Sequence, residues 1–169
     1  GFLATSRLYN QRLNGKADEA CASEFDEQAI LAEVAAARKA GADWVVLSIH
    51  WGAEYHTTPA SADVELAHRL LEGGVDVILG HHPHVLQPAE IYRAADGRLG
   101  LVAYSLGNFL SNQSRFYVHG VQPAKMGNTR DGVILRFSVE RVDYGQGQVR
   151  TELADVSVQP LWSRNNALD

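Results

Sequence analysis

Three of the seven histidines in this 169-residue chain, His81, His82 and His84, crowd into four positions straight after the apolar run Val75-Asp76-Val77-Ile78-Leu79-Gly80. A fourth, His50, follows a similar run, Trp44-Val45-Val46-Leu47-Ser48-Ile49, and is trailed by Trp51-Gly52-Ala53-Glu54-Tyr55. Imidazole is a borderline-soft donor that suits zinc and iron and, less well, manganese. An extended His82-Pro83-His84 segment sets two imidazoles on one face about 6–7 Å apart, a span that suits one ion or two ions ~3.5–4 Å from each other. Pro83 stiffens that spacing by fixing its own φ. His50, His82 and His84 are therefore the candidate metal ligands. Neutral imidazoles alone leave the charge of two divalent ions uncompensated, and the nearby carboxylates are only Glu54 and Asp63, each equally readable as a solvated acid. Either the site holds one weakly bound ion, or its acidic ligands lie on chain that precedes Gly1. His68 and His119 read as surface or hydrogen-bonded residues, His56 is undecided, and Trp51 and Tyr55 read as packing residues. No nucleophile elbow and no phosphate-cradling glycine loop is present, and Cys21 has no obvious base nearby.

The elements that must carry these histidines are legible from periodicity. Ile30, Leu31, Val34, Ala37 and Ala40 recur at helical spacing between an N-cap at Ser23 or Asp26 and Gly41, with Lys39 in the last turn. The run 44–49 is continuous rather than alternating, as in a strand covered on both faces. A second helix carries Val64, Ala67, Leu70 and Leu71 and stops at Gly73-Gly74, and the strand 75–79 follows. This α-β-α-β order predicts a right-handed crossover in a parallel sheet, and ligands of such sheets bind beyond the carboxyl ends of the strands, where His50 and His82 stand. Phe2-Leu3-Ala4-Thr5-Ser6 reads as the end of a buried strand, and residues 7–25 as a loop. Beyond Ala89 the pattern turns to hairpins: Ala89–Arg93 with Leu99–Tyr104, and Val133–Tyr144 with Val149–Val158. Between them, 112–132 reads as a long polar loop without helix, and 159–169 as a tail after a domain spanning 1–158.

Composition narrows the class. Fifteen Lys and Arg against twenty Asp and Glu give a net charge of −5 with no basic run, which argues against nucleic acid as a partner. The length suits one domain. The single cysteine excludes an internal disulfide framework and a cysteine-rich zinc site. No apolar run approaches the ~18–20 residues of a membrane span, and the first residues lack the regions of a signal peptide.

Three blocks carry a family resemblance: Leu47-Ser48-Ile49-His50-Trp51-Gly52-Ala53-Glu54-Tyr55, then Gly73 through Pro88 with Gly80-His81-His82-Pro83-His84-Val85 at its centre, then Tyr104-Ser105-Leu106-Gly107-Asn108-Phe109. In these the chain resembles the CapA family of bacterial capsule and poly-gamma-glutamate synthesis proteins, related to calcineurin-like metallophosphoesterases. The resemblance implies a four-layer α/β/β/α sandwich, the hairpins after Ala89 supplying its second half. It implies a centre of divalent ions, two in the full domain and of manganese, zinc or iron, with His50, His82 and His84 as metal ligands. His82 and His84 match the pair of the Gly-His-x-His block, and His81 becomes a neighbour. His50, His82, Glu54 and Asn108 are the implied catalytic set, Asn108 orienting a ligand or a substrate oxyanion. Members also carry Gly-Asp, Asn-Leu-Glu and Asn-Asn-His blocks that supply further ligands, and none of these occurs here. The chain therefore reads as the carboxyl-terminal part of a larger domain, inactive alone, whose exposed sheet edge could pair with another copy. The function implied is a metal-dependent hydrolase acting on a phosphoester or an anionic polymer in capsule synthesis. The alternatives are a non-catalytic component that binds an anionic polymer or a membrane synthase subunit, and a hydrolase of the gamma-glutamyl amide. Family members work outside the cytoplasmic membrane, associated with it, whereas the residues here leave location open.

Overall fold

The computed structural model describes residues 1–8 and 25–164. Seven strands, two α-helices and one 3-10 helix form a mixed α/β fold among these residues. They are β1 (Phe2–Ser6), α1 (Glu27–Lys39), β2 (Val46–His50), α2 (Ser61–Glu72), β3 (Val77–His81), β4 (Ala89–Arg93), β5 (Leu99–Ala103), the 3-10 helix Ala124–Arg130, β6 (Asp131–Asp143) and β7 (Val149–Trp162). The first five strands make one sheet in the order β1-β2-β3-β5-β4. β1, β2, β3 and β5 run parallel, and β4 pairs antiparallel with β5 at the edge.

Alternation in the strands sorts their side chains between two faces. Val45, Leu47, Ile49, Ile78 and Val102 turn toward the helices, where Ile30 and Val34 of α1 and Leu66, Ala67, Leu70 and Leu71 of α2 complete one buried cluster. Val46, Val77 and Leu101 turn the other way, against Leu135, Phe137 and Leu153 of the β6–β7 hairpin. α1 starts where Asp26 Oδ1 accepts from the backbone N–H groups of Gln28 and Ala29, at 2.8 and 3.1 Å. Of the two N-cap candidates, Ser23 lies outside the described residues, as do Cys21 and most of the loop expected over 7–25.

Several expectations are corrected. β1 stands at the edge of the sheet, with Phe2 84% exposed. The Ala89–Arg93 hairpin joins the same sheet as the histidine-bearing strands instead of the second half, because β5 fits beside β3 in parallel register. Among the described residues, only β6 and β7 form a separate sheet. Residues 159–162 belong to β7 rather than to a tail, paired with Asp131–Ile134. The polar loop expected over 112–132 contains the 3-10 helix, and it buries Tyr117, Thr129 and Arg130.

At the amino end of β3, Asp76 is 2% exposed. Its carboxylate accepts from the guanidinium groups of Arg38 and Arg98 and from Val45 N, so a charge inside an apolar run is matched by two cations from α1 and the β4–β5 turn.

Candidate metal centre

β2 and β3 lie side by side with His50 opposite His81 in the register, and both strands run through these histidines rather than stopping before them. The pairing continues one residue further, with Trp51 N donating to His81 O at 3.0 Å. The buried Trp51 indole crosses over β3 and donates to Tyr104 O at 3.0 Å, tying in the end of β5. That crossing is possible because residue 80 is glycine: a Cβ there would sit 2.0 Å from Tyr104 O and 2.6 Å from Trp51 Nε1. Three strand ends are thus fixed together before any loop begins. Tyr55 N then donates to Pro83 O at 2.8 Å, folding the 51–55 loop onto the histidine loop.

The side chains converge above this platform. The ring centroids of His50 and His82 are 4.6 Å apart, and those of His82 and His84 are 5.9 Å apart. One ligand atom each from Glu54, His82 and His84 fits within 4.8 Å of the others, and His84 Nε2 lies 3.8 Å from Glu54 Oε1. The His82-Pro83-His84 segment is not extended as expected. His82 and His84 adopt φ of 100° and 60°, and Tyr55 in the facing loop adopts 65°. Left-handed backbone at non-glycine residues costs on the order of 1–3 kcal/mol each and clusters where surrounding structure imposes it. Here it brings the two rings inward to Glu54.

Asn108 decides how His84 presents itself. Its Nδ2 donates toward three carbonyl oxygens, those of Thr129 at 2.8 Å, Gln113 Oε1 at 3.0 Å and His84 at 3.3 Å. The amide orientation is thereby set, and Asn108 Oδ1, 3.0 Å from His84 Nδ1, accepts a hydrogen bond from it. A neutral His84 then carries its lone pair on Nε2, the atom that faces Glu54. Asn108 is thus bonded to the His84 ring at the nitrogen that faces away from Glu54. Burial lowers the His50 pKa, and the neighbouring imidazoles of His82, His81 and His84 add to the effect. Burial alone lowers that of His81. Both shifts favour neutral imidazole, the donor form.

Of the residues singled out by sequence, His50, Glu54, His82, His84 and Asn108 come together. Asp63 does not join them, being held by Arg7 Nη1 at 2.7 Å. His56 is exposed, His68 bonds Glu90 at 2.9 Å, and His119 lies 3.2 Å from the Tyr117 hydroxyl. Trp51 is a packing residue, but Tyr55 is 55% exposed and stacks on His84 with centroids 6.0 Å apart. Gln113, unremarkable in sequence, links Asn108 to the Tyr55 hydroxyl, to which its Nε2 donates at 3.3 Å. Only the position of Tyr55 next to Glu54 hinted at its place. A carboxylate with two imidazoles, one of them anchored through its second nitrogen, is a donor set suited to zinc, manganese or iron(II).

Comparison with known proteins agrees with this reading of the blocks. Residues 4–113, more than half of the chain, match the family described as bacterial capsule synthesis protein PGA_cap. The capsule biosynthesis protein CapA of Bacillus anthracis is 43% identical over 76 residues, covering 45% of this chain and 17% of that protein. The PGA biosynthesis protein CapA of Bacillus subtilis is 34% identical over 111 residues, 66% of this chain and 25% of that protein. A probable polyglutamine synthesis accessory protein of Mycobacterium tuberculosis is 41% identical over 64 residues, 38% of this chain and 17% of that protein. The matches thus span a quarter or less of the length of these relatives.

Proposed function

The chain belongs to the PGA_cap family of bacterial capsule synthesis proteins, and from that premise we propose that it serves capsule or poly-gamma-glutamate synthesis through a divalent-metal centre of hydrolase type. The observation that carries this reading is the convergence of Glu54, His82 and His84 with the second nitrogen of His84 tied to Asn108. His82, His84 and Glu54 would hold the ion, with His50 beside His82. A divalent ion in such a place supplies charge for a phosphoester or carboxylate oxygen and acidifies bound water. The residues do the rest. Asn108 keeps His84 in one tautomer, Gln113 keeps Asn108 in one orientation, and Tyr55 covers one side of the His84 ring. His50, held toward its neutral form by burial, keeps a ring lone pair available beside His82. In the whole protein we place this chain in one half of a four-layer α/β/β/α sandwich, with the remaining ligands of a two-ion centre coming from the other half.

The direct test is titration of this chain with Zn²⁺ or Mn²⁺, beside assays of phosphodiester and phosphomonoester hydrolysis by the longer protein loaded with the same ions. Binding lost on His82→Ala and His84→Ala, with turnover by the longer protein, supports the proposal. Binding without turnover assigns the site to the non-catalytic, polymer-binding role. Binding that survives both substitutions removes the centre altogether.

A further inference from the structure

Asn108 is held from two directions, by the two neighbours of a single residue. Thr129 O takes the shortest of its three amide bonds, at 2.8 Å, and Asp131 O accepts from its backbone N–H at 3.4 Å. The start of β6 lies so close that a Cβ on Gly132 would sit 2.2 Å from Asn108 O. Between Thr129 and Asp131 stands Arg130, 4% exposed. The loop leading to it exposes Phe109, Leu110 and Val121 and buries this cation instead. Among the described residues Arg130 forms no ion pair, and Asp131 feels its charge without bonding to it. A buried charge without a counter-charge is costly, so its remaining bonds are the informative ones.

Arg130 Nε donates to Ser163 O at 2.7 Å and Nη1 to Tyr117 O at 3.2 Å, while the Trp162 ring covers the guanidinium at 4.0 Å. Ser163 N donates back to Arg130 O at 2.7 Å. One planar fork thus ties the end of β7 to the end of the 3-10 helix and to the turn at Tyr117. A rigid fork that reaches carbonyls of two segments fixes a position as an apolar side chain of similar size could not. Thr129 is fixed in turn through its hydroxyl, 2.7 Å from Ser114 Oγ. We propose that Arg130 is a positioning residue of the histidine site. Acting through Thr129 and Asp131 it sets Asn108, and through Asn108 Oδ1 it keeps the His84 proton on Nδ1 and the lone pair on Nε2. The strand end at Trp162 and Ser163 therefore governs an imidazole far from it in sequence. This deepens the metal-centre reading and rests on it for its consequence, a ready donor, while the positioning itself exists without metal.

Long-range proton–nitrogen correlation spectra of the full metal-free chain, at about pH 9 where free histidine is neutral, read the tautomer of each imidazole. The parent should show His84 protonated at Nδ1 alone. Arg130→Met should turn it into a mixture of both tautomers and leave His68 unchanged. The same substitution should weaken Zn²⁺ binding about tenfold in the parent and not measurably in an Asn108→Ala background, where nothing is left for it to position. A loss of stability alone would lower affinity equally in both backgrounds. Where Arg130→Met fails to fold, Arg130→Lys, which keeps a cation but not the fork, is read in the same way. An unchanged His84 tautomer, or equal losses in the two backgrounds, overturns the proposal. If the parent binds no Zn²⁺, the metal-centre reading falls and the tautomer shift alone decides the positioning.

Discussion

At the scale of single residues, the proposed metal centre would depend on keeping each imidazole in the form that donates. Asn108 does this for His84, and the hydrogen-bond partners of its own amide leave no second arrangement. Asn108→Ala should lower affinity for Zn²⁺ or Mn²⁺ about 10–100-fold, read by isothermal titration, while Asn108→Asp, which keeps the acceptor, loses less. Equal losses for the two would mean that Asn108 acts through packing alone. The depressed pKa values of His50 and His81 make a second prediction. Their unfolded forms take up protons as pH falls past the ordinary value of 6.5, before the folded forms do. Stability from both is therefore complete above that value and lost as pH falls toward the lower folded values. The melting temperature of the metal-free chain should drop between about pH 7.5 and pH 5, with a shallower drop for His50→Asn. A profile that rises toward acid would contradict the assignment. That His50, His82, His84, Glu54 and Asn108 lie near one another was legible from residue type and position after buried runs, together with the resemblance. The places of Tyr55 and Gln113 were not, because stacking and amide relays depend on where loops fold back.

At the scale of elements, two parallel strands are the lever that places the histidines, and the crossing of Trp51 over Gly80 locks them to β5. Gly80→Ala forces a Cβ against the Tyr104 carbonyl and the Trp51 indole. Because the obstacle at 2.0 Å is backbone, the substitution should cost about 3 kcal/mol or more in urea denaturation, at the upper end of overpacking effects. A loss below about 1 kcal/mol would show that the strand ends are free to separate. Periodicity located both helices and both buried strands, yet it started each strand two residues early, at 44–49 and 75–79 against Val46–His50 and Val77–His81. Apolar character reports burial, whereas a strand is bounded by its hydrogen-bonded register, and here the register carries His50 and His81 into the sheet. Asp76 shows the same limit from the other side. An acid within an apolar run looks out of place until Arg38 and Arg98 arrive from distant segments.

At the scale of the whole molecule, the sheet is unequally covered. One face carries two helices with a large buried cluster, and the other meets a two-stranded hairpin through Leu135, Phe137 and Leu153. A hairpin of two strands has little stability of its own, so its opening should need less free energy than that of the sheet. Native-state hydrogen exchange should find β6 and β7 less protected than β2 and β3, and Phe137→Ser should widen the gap by roughly 1–2 kcal/mol. Equal protection would make the two sheets one cooperative unit. The amino-acid order by itself determined the chemistry on offer, the α/β class and the family, because buried runs, caps and the three blocks are local patterns. Tertiary structure alone decided that β5 stands beside β3, that Glu54 meets His82 and His84, that Asp63 goes to Arg7 instead, and that the 108–130 loop turns its apolar side chains outward. Each of those depends on which distant groups satisfy one another's charge and hydrogen bonds, and no local pattern contains that information.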